Sequence, residues 1–208
     1  MRSLILPAVL SLLAGCAGTR GLQVGGPAGH PGRAMIGSCK GRLDLVDRRI
    51  RFRADYVLHA PDRLYLEVSG AVGSVRAIMV VDGSRLAVLF PHEKRYLREP
   101  ATEETFERLL GFPLPASALL DLLGFQAPDG PLPGATGRFI VSREDSRMIV
   151  EPMPGSQGRL LRLELRPESI EPVAVSSLRP DQFEPVVPDG WSRLTLDPAA
   201  GDPPLLMP

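Results

Sequence analysis

Cys16 is the residue whose position in the chain most strongly suggests covalent chemistry. It follows a basic start at Met1-Arg2 and an apolar stretch at Leu4–Leu13, which is the arrangement of a secretory signal peptide. The apolar stretch is too short to cross a bilayer, which takes roughly 20 apolar residues. The small residues Ala14-Gly15 suit a cleavage site. The sequence therefore predicts a signal peptide at residues 1–15 and an exported protein with a thiol at the cleavage point.

The tetrapeptide Leu13-Ala14-Gly15-Cys16 resembles the lipobox of bacterial lipoproteins. In that class of protein the signal is removed before the cysteine, which is lipidated and becomes the first residue. The resemblance implies a durable membrane anchor at Cys16, since each buried CH₂ of an acyl chain contributes roughly 0.8 kcal/mol. The alternative is an ordinary signal peptide that is followed by a cysteine by chance.

The other residues that could do chemistry are scattered along the chain. His30, His59 and His92 lack the spacing of metal ligands. Cys39 lies in a strand-like pattern, where a small buried hydrophobe is the simplest interpretation. Basic and acidic residues balance at 24 each, and the sequence has neither a basic patch nor stacking aromatics. We therefore predict a protein that is not an enzyme, with no cofactor, no metal and no nucleic-acid partner.

Alternating apolar and charged residues dominate the chain after a Gly-rich stretch. Residues 16–33 predict a flexible tether that begins at the lipidated cysteine. Period two with charges on one face indicates half-buried antiparallel strands. Strands are expected at Cys39–Leu45, Ile50–Leu58, Leu64–Val68, Val75–Val81, Leu86–Phe90, Arg138–Val141, Arg147–Glu151, Leu161–Arg166, Ile170–Leu178 and Trp191–Leu196.

The period changes to that of a helix in the middle of the chain. One helix is predicted between a capping Thr102 and Gly111, and a second between Pro115 and Gly124. Both are too short to be stable alone in water, so we expect them to pack against the sheet. The fold class is mainly β with α (α+β), over a domain at residues 34–198 with a loose tail at 199–208.

This layout resembles the LolB-like outer-membrane lipoproteins, which share a fold with the periplasmic carrier LolA. The closest stretch runs from about Tyr65 to Gly130, and the helical segment Phe106–Gly124 is its most specific motif. The resemblance implies an unclosed antiparallel β half-barrel around an apolar cavity, with a two-helix lid inserted mid-chain. After about Ala135 only the strand rhythm agrees, and a Trp-x-Val-x-Tyr stretch common in the family is absent.

The resemblance also implies roles for particular residues. Val72 stands where the family carries an exposed apolar residue, on a loop that helps to deliver lipoproteins into the membrane. The alternative is an incidental valine in a strand connection, and for the cavity and lid the alternative is plain core packing. The implied cavity wall consists of Phe52, Tyr56, Leu64, Leu66, Val75, Ala77 and Met79, and the implied lid of Phe106, Leu109, Leu110, Leu119 and Leu123.

The function implied by the resemblance is that of a monomeric, lipid-anchored protein at the periplasmic face of the outer membrane. It would bind the acyl chains of lipoproteins, received from a LolA-like carrier, and help to insert them into membrane lipid. Ala17-Gly18 contain no Asp, which agrees with this location, since Asp after the cysteine favours inner-membrane retention in proteobacteria. The rival hypothesis is a non-transporting envelope lipoprotein that uses the same fold as an interaction or structural module.

Overall fold

The computed structural model describes residues 33–70, 73–135, 138–156 and 158–195. The predicted signal peptide, Cys16, most of the tether, Val72 and the predicted tail lie outside these residues. The described elements are β1 (Ala34–Leu45), β2 (Arg49–His59), β3 (Arg63–Ser69), β4 (Val75–Asp82), β5 (Arg85–Phe90), β6 (Arg95–Pro100), α1 (Glu103–Leu110), α2 (Ala116–Leu123), β7 (Gly130–Pro131), β8 (Phe139–Glu144), β9 (Arg147–Pro152), β10 (Leu160–Val173), two 3₁₀ helices (Val175–Ser177 and Pro180–Phe183) and β11 (Ser192–Arg193).

All the described strands belong to one sheet, in the order β11-β6-β5-β4-β3-β2-β1-β10-β9-β8-β7. Neighbouring strands are antiparallel, except that β11 runs parallel to β6. Within the described residues the outer strands β11 and β7 do not pair with each other, so the sheet is open. The prediction of a mainly β protein with an unclosed sheet and two helices is therefore confirmed. The strand expected at Trp191–Leu196 is reduced to the two residues of β11.

β10 corrects the prediction of two separate strands at Leu161–Arg166 and Ile170–Leu178. It is one strand of 14 residues that passes through Pro167. Its register against β1 shifts next to this proline, and Glu168 is the extra residue of a bulge. Bulges are among the few places in a sheet that tolerate proline, because ladder pairing is already interrupted there. After Val173 the chain forms 3₁₀ helices rather than the predicted strand.

A second bulge in β10 corrects the predicted alternation of its leucines. Leu45 pairs with Leu160, and Asp44 pairs with Arg162, so Leu161 has no partner on β1. Leu163 is buried as the alternation predicts, but Leu161 is 52% exposed. The extra residue therefore moves one leucine from the core to the surface.

β6 is a strand that the sequence pattern does not reveal. It follows the predicted turn at Pro91–Lys94 and pairs antiparallel with β5 along its length. Only Leu97 is buried among its residues. A short strand with a single buried side chain leaves too weak a periodic signal to be recognised from sequence.

The helices begin and end where the sequence predicts. The Thr102 hydroxyl accepts a hydrogen bond from the Thr105 backbone amide at 3.3 Å. Gly111 ends α1 with φ 83°, a conformation that favours glycine. Pro115 precedes the first residue of α2, and Gly124 follows its last.

The main core lies between one face of the sheet and the two helices. Inward residues of β1–β6 and β8–β10 form a single buried cluster with the helical side chains. Helices of eight residues are stabilised mainly by such packing rather than by propensity, so their predicted docking on the sheet is confirmed. A smaller cluster of Val57, Val80 and Phe183 lies on the outer face, where the second 3₁₀ helix covers it.

Removal of the cap on α1 tests how much of the helix depends on local bonding. We expect Thr102→Ala to lower the free energy of unfolding by about 1 kcal/mol, because the amide of Thr105 loses its acceptor. Thr102→Ser keeps the hydroxyl and should unfold like the unchanged protein in urea. Equal midpoints for all three chains would contradict a stabilising cap.

Candidate functional site

One end of the sheet collects the features that could form a site. Here β1 and β3 end, and β2 and β4 begin. We call it the Val46 end, after an exposed residue in the β1–β2 turn. The loop between α1 and α2 lies at the same end, because its residues Phe112 and Leu114 border one cavity together with Leu43, Phe52 and Val68 of the sheet.

A small apolar cavity lies between the sheet and the helices at this end. Its volume is about 70 Å³. Every lining side chain is apolar, so the walls offer water no hydrogen-bond partners. The lining residues are Leu43, Phe52, Ala54, Leu66, Val68, Leu110, Phe112, Leu114, Leu119, Leu122, Leu123, Leu163 and Leu165.

The structure brings some of the expected cavity and lid residues to this space and not others. Phe52 and Leu66 line it from the sheet, and Leu110, Leu119 and Leu123 line it from the helices. A second set is buried in the surrounding core without lining the cavity: Tyr56, Leu64, Ala77, Met79, Phe106 and Leu109.

Val75 departs from the arrangement expected for the wall. A register shift between β3 and β4 pairs Val75 with Ser69 and Ala77 with Val68, so Arg76 is the extra residue. Alternation is interrupted there, and Val75 is half-buried and lies outside the main core cluster.

Several lining residues were missed by sequence reasoning because they come from distant parts of the chain. Leu163 and Leu165 reach the cavity since β10 pairs with β1. The alternation of their strand predicts that both leucines are buried, but it does not predict which strand lies next to them. Phe112 and Leu114 belong to the helix–helix loop, and their place in the family-like motif was the signal that could have identified them.

Two aromatic rings on β2 lie over glycines of β1. Gly37 pairs with Tyr56, and Gly41 pairs with Phe52. A Cβ atom at Gly37 would lie 2.6 Å from the Tyr56 ring, and one at Gly41 would overlap the Phe52 ring. Only glycine permits this close approach, which holds Phe52 flat at the edge of the cavity.

Tyr56 carries a buried hydroxyl that finds no hydrogen-bond partner among the described residues. The side chain is 2% exposed. Burial raises the pKa of Tyr56, so the phenol stays neutral. A buried polar group without a hydrogen-bond partner lowers the stability of a core, so we expect this hydroxyl to destabilise the inner face of the sheet.

Cys39 is the inert thiol that its strand pattern predicts. It lies between Gly37 and Gly41 on β1 and is fully buried. Burial, and to a smaller degree the negative charges of Asp55 and Glu168, raise the pKa of Cys39 to about 12. A thiol without thiolate character is a poor nucleophile, so a catalytic role for Cys39 has no support.

The remaining chemistry of the described residues is sparse. They contain no group of three His, Cys, Asp or Glu side chains that could hold a metal ion. None of the helices in the described part of the chain has the length and apolar character needed to cross a membrane. No family model matches the chain, and no curated protein matches its sequence.

Replacement of Tyr56 by Phe tests the unpartnered hydroxyl. We expect Tyr56→Phe to raise the free energy of unfolding by about 1 kcal/mol, because it removes a buried polar group and keeps the ring over Gly37. Chemical denaturation of both chains measures the difference. A loss of stability would show that the hydroxyl has a partner, such as a bound water, in solution.

Proposed function

We propose that this chain is a lipid-anchored, LolB-like envelope protein that holds an acyl chain between its open sheet and its helical hairpin, which acts as a lid. The observation that supports the proposal best is the wholly apolar cavity at the Val46 end. Burial of hydrocarbon against such walls contributes about 25 cal/mol per Å². The open antiparallel sheet with two helices packed on one face also supports the proposal, since a half-barrel with a lid requires this arrangement.

The cavity must enlarge before it can accept an acyl chain. Its 70 Å³ is well below the roughly 300 Å³ at which ligand pockets begin. The described structure is therefore the closed form under this proposal. Opening requires that the helices move away from the sheet.

The attachment of the helical hairpin suits a flap that lifts at its tip. Before α1, the Ala101 amide donates to the Ser84 carbonyl at 2.8 Å. After α2, Arg143 donates to the carbonyls of Phe125 and Ala127 at 3.2 and 2.8 Å. Ser84 lies in the β4–β5 turn, and Gly124, which ends α2, lies close to Met35 and Leu58 near the opposite end of the sheet. The hairpin is therefore fixed at its base, away from the helix–helix loop.

The contact between α2 and the sheet is apolar. Within the described residues, the hydrogen bonds of α2 go to its own turns and to the adjacent loops, and none reaches the sheet. Displacement of α2 therefore exposes apolar surface without breaking hydrogen bonds to the sheet. An acyl chain that enters would cover that surface again, which offsets the cost of opening.

The second candidate function is that of a non-transporting envelope lipoprotein. The small volume of the cavity favours it, because a core with so little free space can serve simply as packing. The two candidates share the lipid anchor and differ in ligand binding.

The anchor is tested by the mass of the mature protein. We expect protein extracted from membranes to begin at Cys16 and to carry an acyl mass increment on that residue. Cys16→Ser should lack the increment. A mature chain that begins elsewhere, or an unmodified Cys16, would remove the anchor from both candidate functions.

The cavity is tested by filling it from the sheet side. Ala54 lines the cavity, whereas Ala77 is equally buried in the sheet and does not. We expect Ala54→Leu to reduce the affinity for a fluorescent C11 fatty acid at least ten-fold, while Ala77→Leu binds like the unchanged protein. Fluorescence titration gives the affinities, and thermal melting shows that each variant is folded.

If either leucine variant melts early, the two corresponding valine variants make the same comparison. Equal affinities for the Ala54 and Ala77 variants, or no saturable binding by the unchanged protein, would favour the non-transporting module.

A further inference from the structure

A basic cleft of about 560 Å³ lies beside the apolar cavity, which corrects the expectation from sequence that the protein has no basic patch. Its cations come from β1, β2 and β10, so only the sheet brings them together. Phe52 lines both spaces. The acyl site does not account for the charges of the cleft, since hydrocarbon needs no cation. Its charged residues are Lys40, Arg42, Arg51, Arg53, Arg166 and Glu164.

The sheet places these charges in two rows on its outer face. Lys40 of β1 pairs with Arg53 of β2 and with Arg166 of β10. In the next row, Arg42 lies between Arg51 and Glu164. Like charges directly opposite each other destabilise a sheet. Charge repulsion that the fold does not require is expected at functional sites, where stability is given up for binding.

Two cations of the cleft have no ion-pair partner in the described part of the chain. The Arg42 guanidinium bonds Asp44 at 2.7 Å, and Lys40 contacts Glu168 at 2.6 Å. Arg51 and Arg166 form no such pair among the described residues, and both are exposed. Glu168, which Lys40 holds, attracts Arg166 only from beyond ion-pair distance. These two guanidinium groups are therefore available to an external anion.

Exposed apolar side chains accompany the cations at this end of the sheet. Val46 is 67% exposed, and its amide donates to the Arg159 carbonyl at 3.0 Å, next to the start of β10. Leu161, displaced by the bulge, lies nearby on the same strand. Cations beside exposed apolar side chains are typical of surfaces that lie at a bilayer interface.

We propose that this cleft binds the phosphate of anionic phospholipid headgroups, so that the Val46 end of the protein docks on a bilayer. Guanidinium groups suit this ligand, because their planar fork matches phosphate oxygens in pairs. A lipid headgroup and a free phosphate ion both present the phosphoryl group that these guanidinium groups would bind. The exposed Val46 and Leu161 favour the lipid source.

The distance to a membrane anchor permits this docking. A fully extended chain from Cys16 to Arg33 spans at most about 60 Å. β1 is about 40 Å long, and Arg33 precedes it at the opposite end of the sheet. An anchor at Cys16 can therefore hold the Val46 end against the same bilayer.

A fluorescent label at residue 46 tests the docking in the mature, lipid-anchored protein. Cys39 is fully buried and an acylated Cys16 has no free thiol, so Val46→Cys offers the reactive thiol for a nitrobenzoxadiazole dye. The parent chain, which should take up no dye, checks this. The labelled protein is reconstituted in vesicles of phosphatidylcholine, with or without 30% phosphatidylglycerol.

We expect the fluorescence to rise in the anionic vesicles and to stay low in the neutral ones. Each cation near an anionic surface contributes about five-fold to attraction. Arg51→Gln combined with Arg166→Gln should therefore shift the ratio of docked to undocked protein by roughly 25-fold. The matched control is Arg63→Gln with Arg85→Gln, which removes the same charge at the opposite end and should keep the rise.

Other outcomes identify the source of the phosphate or overturn the proposal. Inorganic phosphate should lower the fluorescence rise more than chloride does at equal ionic strength. Equal effects of the two salts would show that the cleft attracts anions only diffusely, without a specific phosphate site. Binding of inorganic phosphate without any rise in anionic vesicles would assign the site to a soluble phosphate. An unchanged rise in the double variant would overturn the proposal.

This result is independent of acyl binding. Ala54→Leu should keep the rise in anionic vesicles, because the cleft lies on the outer face. Failure of docking with intact fatty-acid binding would leave the proposed function in place. If fatty-acid binding fails and docking is intact, the proposed phosphate-binding role of the cleft still holds, and only the acyl-binding proposal is lost.

Discussion

The pairing of β1 with both β2 and β10 is the constraint on which the rest of the molecule depends. β1 lies near the middle of the sheet and pairs with β2 from Ala34 to Asp44 and with β10 from Ala34 to Leu45. It therefore joins the beginning of the domain to its last third. The cavity wall, the basic rows and the exposed turn at Val46 all follow from this register.

The two faces of these three strands serve different physical purposes. On the inner face, β1 carries small residues at Gly37, Cys39 and Gly41 before its two leucines, and aromatic rings from β2 lie over both glycines. This packing leaves a small apolar space beneath the helices. The outer face carries like charges opposite one another, which packing alone does not favour. Since Phe52 borders both spaces, the hydrocarbon walls and the cationic groups lie at the same end of the sheet, on its two faces.

The helical hairpin is attached to the sheet in a way that would let α2 move away from it. Its base is fixed by hydrogen bonds at Ala101 and Arg143, while α2 contacts the sheet through apolar groups. Apolar contacts are not directional, so they permit displacement more readily than a hydrogen-bonded interface does. A cavity that is nearly closed is therefore compatible with both a packed core and a lid at rest. Ligand affinity separates these two cases.

Local sequence patterns were enough to predict most of the strands, both helices and the class of fold. Period two identified most strands, and the cap at Thr102 with the glycine at Gly111 placed α1, because these signals come from neighbouring residues. It also determined that Cys39 would be buried. The lipobox-like motif at Cys16 remains a sequence prediction, as does Val72, since both lie outside the described residues.

Which distant residues come into contact became clear only from the pairing of the strands. The bulges in β10 exposed Leu161 and carried the strand through Pro167, whereas period two alone predicted a buried leucine and a break. The lining of the cavity and the basic rows depend on β10 crossing to β1, a pairing between residues more than 100 positions apart. No local periodicity encodes such a partner, because register is set by the fit of whole strands and by the packing above them.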